Sequence, residues 1–299
     1  MKVAIIGAGV LGTSLGILLK RAGYAVVAIC SRNRRSAQAA ASSIGMGEVV
    51  GDPAMAALGA DLVLLAVPDR AIAGVAIQVA AGGALRKGAV VAHFAGGLPA
   101  GILSGVVAAG GHRGALHPLQ SFADVETALA MLPDTFFAIE GDKEAVEVLQ
   151  SVVVTLGGRP LRMGSGSKAL YHAAASAASN FVVGLMDYAV ELMTRAGIEP
   201  DLALPALLPL VRGTLANLDT VGLPDALTGP IARGDVGTIR RHLRALADLP
   251  PPLGALYRTM ARRTLQVAIA KGHLDDEARS QLEQLLRDDD LLPPPEPLP

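Results

Sequence analysis

Apolar residues in the first half of the chain come in short unbroken runs set between longer mixed stretches. The runs KVAIIGAG at 2–9, YAVVAICS at 24–31, ADLVLLAVPD at 60–69 and GAVVAHFAGG at 88–97 show no polar alternation. That is the pattern of strands buried on both faces. Between them, Val10–Ala22, Arg34–Ile44 and Arg70–Ala81 fit helices, and Gly23 stops the first of these. A weak strand is expected near Glu48–Val50. Further strands are expected at 113–116, 135–140 and 159–163, with a helix at 143–156. Strands alternating with helices predict an α/β unit with a mostly parallel sheet covered on both sides. Beyond Ser165 the strand pattern stops, and helices fit 166–196, 201–219, 235–248, 253–271 and 275–287. The chain therefore divides into an α/β domain at 1–163 and an all-α domain at 164–287. The charged, then proline-rich end at 288–299 is expected to be disordered.

Composition narrows the classes. With 299 residues, 51% of them hydrophobic, the chain can bury a large core in two domains. A formal net charge of −1 excludes general attraction to nucleic acid or to an anionic membrane. The single cysteine, Cys30, has no partner for an intramolecular disulfide, and its place at the end of an apolar run points to packing. Met1–Leu19 has the apolar character of a signal peptide but carries Gly7, Gly9, Gly12 and Gly16 and lacks a cleavage region. No uncharged apolar run of about 18 residues stands out, so no membrane span is expected. The expected setting is the cytoplasm.

The first strand ends in Gly7-Ala8-Gly9-Val10-Leu11-Gly12, a G-x-G-x-x-G pattern that opens a helix. In that context Gly7 permits a tight turn. Gly9 lets the backbone approach a pyrophosphate, and Gly12 lets helix and strand pack closely. The free N–H groups of the helix start face the anion. This predicts a Rossmann domain binding a dinucleotide. The second strand ends in Cys30-Ser31-Arg32-Asn33-Arg34-Arg35, where an NAD site carries an acidic residue for the ribose hydroxyls. A serine and three arginines suit a 2′-phosphate instead, so NADP(H) is the expected cofactor, with Ser31 and Arg32 as contacts. Val67 and Pro68, at the end of the third strand, are expected to line the nicotinamide end, while Asp69 reads as a helix cap. His93 and His117 also fall at strand ends. Each reads equally as a site residue or a hydrogen-bonded structural one; His93 is assigned to the cofactor and His117 to the substrate. No metal site is expected.

The stretch GSGSKALYHAAASAASN at 164–180 places Lys168 and His172 one helical turn apart among alanines. At 100° per residue Lys168, His172, Ser176 and Ser179 share an arc of about 80°, with Asn180 at its edge and Tyr171 flanking it. The helix reads as buried nearly all round, with one polar stripe. Such a stripe serves either a substrate site or a polar seam against the sheet or a partner.

The glycine fingerprint, Gly164-x-Gly166-x-Lys168, His117-Pro118-Leu119-Gln120-Ser121-Phe122 and Leu227-Thr228-Gly229-Pro230-Ile231-Ala232-Arg233-Gly234-Asp235 together resemble one family. It is a group of Rossmann-like proteins with a C-terminal domain of unknown function, similar in plan to ketopantoate reductases, pyrroline-5-carboxylate reductases and 3-hydroxyacid dehydrogenases. The resemblance covers the chain to about residue 285. It implies a helical C-terminal domain that forms a homodimer, and an active site between the domains. In the hydroxyacid dehydrogenases that helix carries a catalytic lysine with asparagine four residues on. Lys168 matches the lysine, but His172 stands in the asparagine position, and Asn180 is the nearest substitute. The group often shows His-x-Ser-Gly near 93, where this chain has His93-Phe94-Ala95-Gly96 and so lacks the serine hydroxyl.

The expectation is an NADPH-dependent reductase of a small 2-oxo acid, ketopantoate first. Lys168 is the expected general acid, with its pKa lowered by burial. His172 orients or relays the proton, and Asn180 and His117 hold the oxygen or the carboxylate. Thr228 and Arg233 are assigned to the substrate carboxylate. Two alternatives stand beside it: reduction of a cyclic imine, and a non-catalytic protein that senses NADPH.

Overall fold

The computed structural model describes residues 1–81 and 83–287; the expected disordered end at 288–299 lies outside the described residues. Five strands and four helices make the first half of the sheet: β1 (Lys2–Ile6), α1 (Val10–Arg21), β2 (Ala25–Cys30), α2 (Arg34–Ile44), β3 (Glu48–Val50), α3 (Pro53–Ala57), β4 (Leu62–Leu65), α4 (Asp69–Ala81) and β5 (Val90–His93). A 3-10 turn at Ala100–Ile102 leads to β6 (His112–Pro118), α5 (Val125–Met131), β7 (Phe136–Gly141), α6 (Lys143–Thr155) and β8 (Arg159–Arg162). Helices follow: α7 (Lys168–Ala178), α8 (Asn180–Arg195), α9 (Pro200–Val221), α10 (Val236–Ala247), α11 (Pro251–Lys271) and α12 (Asp276–Arg287).

The sheet has eight strands in the order β3-β2-β1-β4-β5-β6-β7-β8. Strands β1 to β6 are parallel, β7 is antiparallel to β6, and β8 is parallel to β7. The unbroken apolar runs are explained by two cores, one on each face. Ile5, Leu62 and Leu64 point into a core shared with Leu15 and Leu19 of α1 and Leu149 of α6. Ile6, Val63 and Leu65 point the other way, against Ala56 of α3 and Ile72 and Ala76 of α4. Two short helices lack a legible apolar period and depend on their caps: Asp52 accepts from Ala54 N–H at 2.9 Å before α3, and Asp124 from Thr127 N–H at 2.8 Å before α5.

The chain forms two compact units, Met1–Asn180 and Phe181–Pro299. The strand-to-helix change falls at 164, but α7 is held to the sheet by its own side chains and belongs with the first unit. The second unit has its own core of Ile239, Leu243, Leu265, Leu282 and Leu286.

Two expectations about the 166–196 helix are corrected. It is two helices, broken at Ser179, whose backbone leaves the helical region at φ −124° and ψ −73°. It is also mostly exposed, with Lys168 the one buried residue of α7 and Leu170 and Phe181 among its exposed apolar side chains. Taken as one stretch, Lys168–Arg195 has the length and mean hydropathy (1.2) to cross a membrane, contrary to the reading that no run qualifies. The break divides it into pieces of 11 and 16 residues, each short of the roughly 20 that a span requires.

Candidate active site

The chain leaves β1 for β2 on one side of the sheet and places β4 on the other, so a crevice opens at the carboxyl ends of β1 and β4. A cavity of about 810 Å³ occupies it, lined by Gly7 to Leu11, Ser31 to Asn33, Val67, Pro68, Phe94 and Ala95 among others. The three fingerprint glycines have distinct physical reasons. Gly7 has φ +117°, and a Cβ there would stand 2.1 Å from the Ala66 carbonyl oxygen. A Cβ on Gly12 would stand 2.0 Å from the Gly7 carbonyl oxygen, so the helix start packs directly on the turn. A Cβ on Gly9 would meet nothing within 4 Å, which leaves the backbone open to the cavity. Gly9 caps α1 without a side-chain bond, so the first N–H groups of the helix are available to an anion.

At the end of β2, Ser31 and Arg32 line the cavity. Asn33 caps α2, its side chain accepting from Arg35 N–H at 2.9 Å. Val67 and Pro68 also line the cavity. Asp69 is the first residue of α4 rather than its cap, and the Ala71 N–H bonds the Pro68 carbonyl instead.

His93 does not line the cleft. It is 0% exposed, lies in the row Leu65–His93–Ala115 across the sheet, and faces the core beneath the 94–100 loop. Its Nδ1 accepts from Ala95 N–H at 3.2 Å, so Nε2 carries the proton and donates to the Pro99 carbonyl at 3.2 Å. Burial, with a smaller contribution from the Lys168 charge, pushes its pKa down to about 4 despite the Pro99 bond. The assignment of His93 to the cofactor is therefore replaced by a structural one: a neutral imidazole that shapes the loop.

Lys168 is 2% exposed and its Nζ donates to the Ala95 carbonyl oxygen at 2.7 Å. Ala95 itself lines the dinucleotide cavity, so the ammonium is bonded to the backbone of a residue on the cavity wall while Lys168 itself stays buried behind it. Burial lowers the Lys168 pKa to about 8, against the raising effect of Glu140 and Asp69. Around it the structure gathers His117, Tyr171 and His172. Tyr171 OH and His117 Nδ1 are 2.8 Å apart. Burial raises the Tyr171 pKa to about 12, so the phenol keeps its proton. His117 is pushed down to about 4 by burial and by the Lys168 and His172 charges. The His117 and His172 rings stand edge to face at 6.2 Å. Both press on Gly96, where a Cβ would stand 2.4 Å from His172 Cδ2 and 3.0 Å from His117 Nε2. The glycine after Ala95 thus makes room for the two imidazoles.

Other assigned residues lie elsewhere. Asn180 follows the break at Ser179, so the arc drawn for one continuous helix does not reach it; twelve residues of helix rise about 18 Å. Thr228 and Arg233 are exposed in the second unit. Much of their motif is structural there: Ile231 enters the core, Asp235 caps α10 by accepting from Thr238 N–H at 2.9 Å, and Lys271 Nζ donates to the Asp225 and Leu227 carbonyls at 2.9 Å. Glu140, Asp69 as a charge, and Tyr171 as the partner of His117 escaped sequence reading. Glu140 sits inside an ordinary strand pattern, and only the fold brings it near Lys168.

Residues 1–118 match the Rossmann-like domain family, and residues 135–264 match DUF2520, a domain of unknown function. The chain is a Rossmann-like protein carrying a DUF2520 domain. Among curated proteins no sequence relative was found. A solved structure from Bacteroides fragilis, provisionally described as an NADP oxidoreductase, is 29% identical, with a TM-score of 0.70 over 89% of this chain and 97% of that one. Protein TM1727 from Thermotoga maritima is 28% identical, with a TM-score of 0.71 over 91% of this chain and 99% of that one. A pyrroline carboxylate reductase from Plasmodium falciparum, solved with NADP bound, shares the fold at 12% identity, with a TM-score of 0.56 over 94% and 98% of the two chains.

Proposed function

We propose that this protein is an NADPH-dependent reductase of a small 2-oxo acid, with ketopantoate as the first substrate to test. The observation that carries the reading is a buried ammonium, Lys168, on the carbonyl of Ala95 at the wall of a dinucleotide-shaped cavity. The residues present fit the cofactor. Gly7 and Gly12 build the turn, Gly9 leaves its backbone open to the cavity, and Ser31 and Arg32, which line it, have the chemistry that suits a 2′-phosphate. Bound NADPH supplies the hydride.

The chain's own residues handle the charge that grows on the substrate oxygen. Lys168, with a pKa near 8, gives up a proton readily at neutral pH. His172, exposed against Gly96 and Gly97, is the relay to water. Neutral His117, held through Nδ1 by Tyr171, is the polar group beside Lys168 for the substrate. The protein works as a cytoplasmic homodimer associated through its C-terminal helices, without nucleic acid or membrane as partner.

The test follows NADPH absorbance against a panel of 2-oxo acids and cyclic imines. Turnover of a 2-oxo acid is expected, with Lys168→Ala losing about 10²–10⁴-fold in kcat while NADPH affinity holds. Turnover of imines alone makes the protein an imine reductase. No turnover, with NADPH affinity intact in both forms, makes it a sensor. A preference for NADH overturns the reading of Ser31 and Arg32.

A further inference from the structure

Three features place Glu140 behind Lys168. The first is position. Across the sheet, His93 pairs with Ala115 and Ala115 with Glu140, so the side chains of His93 and Glu140 leave the same face, under the 94–102 segment. The second is a shared target. Glu140 Oε1 accepts from Ala100 N–H at 3.1 Å, and His93 Nε2 donates to the Pro99 carbonyl at 3.2 Å. That N–H and that carbonyl belong to one peptide group, which is therefore gripped at both poles by two buried side chains. The loop closed by this grip presents the Ala95 carbonyl to Lys168. The third is a deficit. Glu140 is 8% exposed, and its Oε2 is buried with no hydrogen-bond partner. A buried carboxylate short of a bond needs a nearby positive charge.

We propose that Glu140 is a positioning residue for Lys168: it anchors the turn that carries the Ala95 carbonyl and supplies the countercharge of the buried ammonium. This rests on the reading of Lys168 as the proton donor. Asp69 of α4 adds to the negative side. The remaining titratable groups gathered near Lys168 are His93 of β5, His117 of β6, and Tyr171 and His172 of α7. His93 and His117 are held neutral by pKa values near 4. Glu140 and Asp69 are thus the two acidic groups that oppose the burial of the ammonium. The proton affinity of Lys168 follows the same direction, since the Glu140 charge raises it.

Glu140→Gln keeps an acceptor for Ala100 and removes only the charge, which separates the two roles. The full chain, labelled with [ε-13C]lysine, is titrated by NMR, with the Lys168 signal assigned by its loss in Lys168→Met. The wild-type midpoint is expected near 8, and in Glu140→Gln it should fall by about one pH unit. Ala100 amide exchange should stay slow in Glu140→Gln and accelerate in Glu140→Ala. With a substrate in hand, the alkaline limb of the kcat/KM profile should move down in pH with the NMR midpoint, while NADPH affinity holds. An unchanged Lys168 midpoint in Glu140→Gln overturns the proposal. The NMR reading needs no substrate, so it stands or falls apart from the assignment of activity.

Discussion

At the scale of single residues, the fingerprint glycines make separable predictions. Ala at Gly7 places a Cβ 2.1 Å from a backbone oxygen in a residue with φ +117°, and backbone has little room to yield. Gly7→Ala should therefore destabilise the fold by about 1–3 kcal/mol or more, seen as a lowered thermal midpoint. Gly9→Ala meets nothing within 4 Å and should leave the midpoint unchanged, yet weaken NADPH binding about tenfold by standing between backbone and pyrophosphate. Fluorescence titration checks the second effect and calorimetry the first. These roles were legible in the sequence because a turn motif acts locally. The role of His93 was not. Whether a histidine at a strand end faces the cleft or the core depends on its cross-strand row, and only the register His93↔Ala115 decides that.

At the scale of elements, the β6–β7 junction carries the one reversal in strand direction. Arg113 and Asp142 close it: Asp142 Oδ2 accepts from Arg113 N–H at 2.8 Å and Nε at 3.2 Å, and Oδ1 from Nη2 at 2.9 Å. The Arg113 hydrogen bond holds the Asp142 carboxyl below its usual pKa. A depressed folded value means that the stabilisation is complete above the unfolded carboxylate pKa and is lost as pH falls through the folded one. Asp142→Asn should cost roughly 1–3 kcal/mol at pH 7. The difference from wild type should shrink toward pH 3, measured by urea unfolding at several pH values. Periodicity found all eight strands and most helices, since two-sided burial leaves unbroken apolar runs. It missed α3 and α5, which are too short to show a period, and the direction of β7, which hydropathy does not encode. It drew α7 and α8 as one buried helix, because nothing in an alanine-rich stretch marks the break at Ser179 or tells cover from exposure.

For the whole molecule, the uncovered helices of the second unit bear on assembly. Helix α9 has 22 residues, of which Ala203 alone is buried, while Phe181 is 68% exposed and Leu210 69%. Apolar area on that scale is costly to leave in water. The proposed homodimer would cover it, and light scattering at micromolar concentration should give twice the chain mass. Leu210→Glu with Leu215→Glu should yield monomers, and a persistent dimer in that variant would move the interface elsewhere. The reversal at β7 has an outcome that reaches the chemistry. Strand β6 rises past the tips of β1 to β5, and β7 and β8 descend again, so Arg162 halts opposite Ile139, one step from the row of His93. The chain is thus delivered to the level of the buried Lys168 with five residues, 163–167, left to travel. This tether from Arg162 to Lys168 is six residue steps, at most about 22 Å. Its length works as a ruler, and lengthening or shortening it would shift the start of α7, moving Lys168, Tyr171 and His172 together.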